Sequence, residues 1–194
     1  GGGGGVTYSI TTDADADRVS EIGGRGLAER LLARIDRLGP DALAVARAVA
    51  ILEPYATLRR VAGTADLEQR AATAAAHALV GAGVIDDGSP LRFSHPLLRS
   101  AVEGALTEPQ RRELHGTAAE IHHAEDGDPG IVATHLVRTD AVQGDWVVSS
   151  LREAAEQALG RGASGPATAC ARRALEEPFG EESRVGLRSG LGSG

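Results

Sequence analysis

The chain is predicted to be mainly α: a winged-helix domain with a small β-hairpin, followed by an antiparallel helical-repeat array. Three observations predict it. Apolar residues recur at helical spacing from Leu27 onward, as in Leu27, Leu31, Ile35 and Leu38. The period then changes at Val84-Ile85 and Leu91-Arg92-Phe93, two short apolar runs flanking Asp86-Asp87-Gly88-Ser89-Pro90. An Asp-Gly turn between such runs is a hairpin signal. Finally, residues 146–177 read as two alanine-lined helices joined by Gly160-Arg161-Gly162, the pattern of a helical-repeat unit. The expected organisation is a poorly structured segment 1–26, a winged-helix domain 27–106, a repeat region 107–178 and a flexible tail 179–194.

Each element follows from local chemistry. Val6–Ile10 has the character of one short strand inside the glycine-rich start. The first helix runs from Leu27 until Gly39-Pro40 stops it. A second spans Asp41 to Leu52, with Val45, Val49 and Leu52 on one stripe and Pro54 beyond. Thr57–Ala62 is a short third helix ended by Gly63. Thr64 and Asp66 offer N-caps to a fourth helix, Leu67–Ala82; Asp66 and Gln69 have capping-box spacing and Gly83 suits the C-terminal cap. After the hairpin, Pro96 suits the first turn of a helix carrying Leu97, Leu98 and Val102. Thr107 with Gln110 starts the next, which buries Leu114, Ala118 and Ile121. Asp126-Gly127-Asp128-Pro129-Gly130 breaks it, and Ile131–Arg138 is short and helical. Trp146, Leu151, Ala155 and Ala158 mark a longer helix. Its partner, Ser164–Glu177, offers Ala167, Ala171 and Ala174 for close contact.

Composition limits function. Hydrophobic residues are 42% and charged residues 24% of the 194, the profile of a soluble globular chain. Aromatics are only 3%, so the core must come from Leu, Val, Ile and Ala. Every basic residue is Arg; Lys, Met and Asn are absent, a bias that suggests a GC-rich genome and a fragment lacking its start codon. The net charge of −7 disfavours a dedicated nucleic-acid binder, which carries a basic footprint. A single Cys170 excludes an intrachain disulfide and a Cys-based zinc site. No apolar run approaches the roughly 20 residues of a membrane span, and no signal peptide is present. A cytoplasmic setting is expected.

No catalytic constellation stands out. There is no G-x-S-x-G, no H-E-x-x-H and, without lysine, no P-loop. Cys170 lies on an alanine-rich face and reads as core. His115, Glu120, His122 and His123 share one helix, yet metal ligands must converge within ~2.0–2.2 Å of the ion. His115 and His122 are two turns apart, so a solvated polar face is expected instead. His95 sits between a strand and a helix N-terminus. Imidazole and helix end would both favour an anion there; the plainer reading is a capping or structural histidine. A DNA-reading role would use the fourth helix, with Gln69, Arg70 and His77, and a thin patch of Arg59, Arg60 and Arg70.

Five segments taken in order resemble one family. They are LLARIDRLGPDALAVARAVAIL (31–52), AAHALVGAGVIDDG (75–88), LRFSHPLLRSAVEGAL (91–106), QRRELHGTAAEIHHAEDGDPGIVATHLV (110–137) and DWVVSSLREAAEQALGRGASGPATACARRALEEP (145–178). They resemble the large ATP-binding regulators of the LuxR family, MalT-like members of the STAND class of signalling ATPases. In that family a nucleotide-binding core precedes the winged helix. Tetratricopeptide-like (TPR-like) repeats follow, and a C-terminal helix-turn-helix reads DNA. The resemblance implies that this chain is a middle portion, without P-loop or helix-turn-helix, while Val6–Gly24 matches poorly. Ser94-His95-Pro96 is similar to the class's Met-His-Asp motif, whose histidine touches the β-phosphate of ADP; Pro96 replaces the acidic residue. His95 is thus implied as a nucleotide contact.

The resemblance implies a non-enzymatic regulatory fragment, without cofactor of its own, inside a parent that binds ATP or ADP. Its implied partners are the upstream nucleotide-binding core, an inducer or partner protein on the repeats, and DNA through the missing helix-turn-helix, with no membrane. The alternative is a stand-alone winged-helix DNA-binding repressor with a helical dimerisation tail.

Overall fold

The structure, a computed structural model, describes residues 26, 28–140 and 144–177. The expectations for 1–25, for Leu27 and for 178–194, including the strand Val6–Ile10 and the tail, lie outside the described residues. Among the described residues the fold is mainly helical. In chain order the helices are α1 (28–36), α2 (Pro40–Leu52), α3 (Leu58–Thr64), α4 (Gln69–Gly81), α5 (Pro96–Gly104), α6 (Glu108–Ala124), α7 (Pro129–Leu136), α8 (Asp145–Gly160) and α9 (Ser164–Glu176).

Two hydrophobic clusters divide the molecule. The first joins α1–α5 around Ile35, Val45, Leu52, Leu79, Ile85 and Val102. The second is smaller and joins α6–α9 around Ala119, Val132, Leu136, Val147, Leu151 and Cys170. Helix α6 bridges them: it packs on α2 and α3 in one direction and on α7 in the other. Beyond it, consecutive helices pack in order, α7 on α8 and α8 on α9. This succession agrees with a helical array. The finer expectation of a repeat of known type is not settled by it.

The β-hairpin is the main departure. It shrinks to one antiparallel bridge, Ile85 to Phe93, with no strand among the described residues. Two backbone bonds flank it, from Asp86 N–H to Arg92 C=O and from Ser94 N–H to Val84 C=O. The cause is competition for donors. Pro90 has no N–H, and the Leu91 N–H donates to Ala56 C=O in the α2–α3 connection at 2.8 Å. The would-be ladder is spent on anchoring the loop to the helices.

Helix ends differ where tertiary contacts intervene. Helix α3 runs through Gly63 to Thr64, and Ile121 of α6 packs on Gly63; a Cβ there would lie 2.8 Å from the Ile121 Cδ1. Thr64 is consequently buried instead of capping α4. Asp66 takes a left-handed conformation, φ 52°, so α4 starts later, after Glu68, without a side-chain cap. Gly83 behaves as expected, at φ +64° just past α4, where the Val84 N–H bonds Leu79 C=O. The Thr107–Gln110 capping box forms in full at the start of α6. On α9 the buried stripe is Ala167, Cys170 and Arg173, while Ala171 faces solvent. Leu38 lies past the end of α1 and is exposed.

Candidate functional site

The chemistry-bearing residues gather where α6 and α7 meet the end of α2. Helix α6 carries His115 and His122 seven residues apart, and α7 brings His135 between them. The His115 and His135 rings lie 5.2 Å apart and the His122 and His135 rings 5.4 Å apart, the latter stacked at 17°. Tyr55 closes the row, edge-on to His122 at 6.1 Å. All three histidines are buried. The expectation of a solvated face is therefore wrong for His115 and His122: α7 covers that side of α6. Glu120 and His123 do remain exposed, His123 stacking on Trp146.

His115 Nδ1 and His135 Nδ1 are hydrogen-bonded at 2.9 Å. Two imidazole nitrogens bond only when one donates its N–H and the other offers a lone pair. The bond therefore requires at least one neutral ring, and a proton on both Nδ1 atoms would set two N–H groups against each other. The surroundings agree. Burial, then Arg138 and Arg111, lower His115 to a pKa of about 4, against an opposing pull from Glu108. Burial, then His115, His122 and Arg138, lower His135 to about 3. His122 is lowered by burial and then by Arg60, with Glu125 opposing. Both nitrogens of its ring are buried without a hydrogen-bond partner. Among the described residues, no three His, Cys, Asp or Glu side chains converge well enough to hold a metal ion.

The His115–His135 pair forms part of the wall of a cleft of about 640 Å³. Its apolar side is Ile51, Leu52, Pro54 and Tyr55; its polar side includes Arg99, Arg111 and Arg138. Glu53 and Glu103 also line it, and both pair with Arg99, at 3.6 and 3.0 Å. Arg111 bonds Glu108 and the Glu103 C=O. Arg138 donates to the Thr134 C=O.

The residues singled out from sequence lie elsewhere. His95 is exposed and N-caps α5, its Nδ1 accepting from the Leu97 N–H at 3.1 Å. Arg60 is held by Glu125 at 2.7 Å and donates to the Tyr55 C=O. Arg59 leans on the same carboxylate at 3.5 Å, while Arg70 is exposed on α4. Cys170 is buried as expected, and burial raises its thiol pKa. The sequence reading missed His135, whose one available signal was its place on an otherwise apolar short helix. It also missed Arg173, which is buried, pairs with Glu177 at 2.6 Å and donates to Leu136 and Asp140 carbonyls past the end of α7.

No family model, curated protein or solved structure matches this chain. No helix among the described residues is long and apolar enough to cross a membrane.

Proposed function

We propose that the chain is a non-catalytic regulatory module from a large, ATP-binding transcriptional regulator of the LuxR family, MalT-like and of the STAND class. In this reading α1–α5 and the Ile85–Phe93 bridge, residues 27–106, are a reduced winged helix that senses nucleotide state. Helices α6–α9 begin a TPR-like array that senses an inducer or a partner protein. The parent is cytoplasmic and holds ATP or ADP on an upstream core, and DNA is read by a helix-turn-helix further along.

One observation carries the nucleotide half. His95 caps α5 through Nδ1 as an acceptor, so its neutral tautomer keeps the proton on Nε2. The ring is exposed beside a helix N-terminus with this N–H free to donate. The Nε2–H lies at the positive end of the α5 dipole and suits a phosphate oxygen, with the Leu97 and Leu98 N–H groups already bonded within the cap. The bridge and α5 are then a two-state element that a nucleotide biases.

The test is His95→Ala in the parent regulator. Purified protein should retain less ADP and show higher basal transcription. Unchanged ADP occupancy would remove His95 from the sensor role. Sequencing the flanking coding DNA tests the wider reading, which requires an in-frame P-loop upstream. Salt-sensitive duplex binding by this chain alone would favour the repressor alternative instead. Glu125 counts against that outcome, because it engages Arg59 and Arg60, two of the three cations such a surface would use.

A further inference from the structure

We propose that the cleft between the end of α2 and the α6–α7 pair binds a small oxyanion, a carboxylate or phosphate group on an organic ligand, seated against Arg138, Arg111 and the His115–His135 pair. The proposal deepens the sensing half of the proposed function and rests on that reading only for its biological meaning.

Size and shape come first. A volume of about 640 Å³ falls within the ~300–1,000 Å³ typical of small-molecule sites. Its wall pairs an apolar side, Leu52, Pro54 and Tyr55, with convergent polar groups, the usual division between burying a ligand and orienting it.

Charge selects the class of ligand. Three guanidinium groups line the cleft, and the two lining carboxylates both serve Arg99. Arg111 is shared with Glu108 outside the lining. Arg138 has no carboxylate within ion-pair distance among the described residues. Arg138 is exposed at the cleft's rim, so its fork is open to a carboxylate or phosphate that enters from solvent. The same arginines face the imidazoles: after burial, Arg138 and Arg111 are the next causes that oppose protonation of His115.

That field also links the site to protons. The groups facing the three rings are Arg111, Glu108 and Arg138 for His115, Arg60 and Glu125 for His122, and Arg138 with the other two rings for His135. Burial is the main cause that keeps the pair neutral, and an anion against Arg138 and Arg111 offsets the smaller charge effect that adds to it. Proton uptake then accompanies binding, and affinity rises as pH falls from 7 toward 5. The added proton goes to the Nε2 of the ring that donates from Nδ1, so the Nδ1–Nδ1 bond survives and the pair gains an N–H for the ligand.

The experiment titrates the intact chain with sulfate, inorganic phosphate and succinate separately, against chloride at equal ionic strength. Imidazole 15N signals of His115 and His135 are followed by NMR. Saturable shifts are expected; a response to phosphate and sulfate alone identifies a phosphate-type ligand, and one to succinate alone a carboxylate. Arg138→Gln should weaken binding on the order of tenfold or more, as expected for losing a charged hydrogen-bond donor. Arg152→Gln, exposed on α8 and outside the cleft lining, should not. Sulfate keeps its charge between pH 7 and 5, so tighter sulfate binding at pH 5 reports the protein's own proton uptake.

Three results would overturn the proposal: no saturable response beyond chloride, an Arg138→Gln variant with normal helical content and unchanged affinity, or sulfate affinity independent of pH. None of them touches ADP retention at His95, so the two readings fail separately.

Discussion

The two hydrophobic clusters are built by different chemistry. The α1–α5 cluster is apolar throughout, packed from Leu, Ile, Val and many Ala. Of the buried polar residues, only Thr64 lies in that part of the chain; His115, His122, His135, Ser150, Arg173 and Glu177 all belong to α6–α9 and its end. The first region is held by burial, which does not depend on the protonation of any side chain. The second is held in part by groups whose pairing depends on charge and protonation. A chain that must hold one region steady while another responds to a ligand would be divided in this way.

The largest effect is expected in the second region. Arg173→Ala removes the buried Arg173–Glu177 ion pair and takes the donors from Leu136 and Asp140 carbonyls. Breaking such a pair from one side costs about 3–5 kcal/mol. Urea denaturation should show that loss, with α7–α9 amides exchanging first; a change below about 1 kcal/mol would mean that the pair is not buried in solution.

The apolar region provides the contrast. Leu79 is fully buried on α4, and Leu79→Ala should cost about 2–5 kcal/mol. That cost should be the same at pH 7 and pH 5. A strong pH dependence would show that the two regions are not chemically separate.

Acid should act on the second region alone. His115 and His135 have folded pKa values of about 4 and 3, below the ordinary 6.5. Between those values and 6.5 the unfolded chain binds more protons than the folded one. Stability therefore falls as pH drops below 6.5 and levels off once the folded values are passed. The slope is at most about 1.4 kcal/mol per pH unit for each ring. His135→Phe should flatten this slope, and hydrogen exchange at pH 5 should place the acid-labile amides in α6 and α7 before α2 and α4.

The smallest effect sharpens the boundary between regions. Thr107→Ala removes the capping box at the start of the bridging helix α6, at a cost of about 0.5–2 kcal/mol. Thermal melts should shift modestly, with the His115 and His135 imidazole signals unchanged. Altered signals would mean that the first turn of α6 controls the histidine row.

Much of the fold was legible because it rests on local rules. The stripe of Val45 and Val49, the Thr107–Gln110 box, Gly83 past α4 and the break at Asp126–Gly130 each express a preference of a few neighbouring residues, and each appears as expected. The hairpin was overestimated because its turn signal says nothing about a competing acceptor at Ala56, 35 residues before Leu91. The site was not legible. His115 and His122 lie seven residues apart on a helix whose composition looks solvated, and only α7, folding back after Asp128, places His135 between them.

By itself the sequence determined the helical class, the order of the helices, the capping box of α6 and the glycine past α4, and an alanine-rich core poor in aromatics. Tertiary structure alone decided which face of α6 is covered, that three histidines form one buried row, and that burial, with Arg111 and Arg138 at one end, opposes its protonation. The physical reason is range. Helix periodicity and capping act over three or four residues along the chain. Burial, ring pairing and electrostatic fields act through space, between residues such as His115 and His135 that become neighbours only when helices pack.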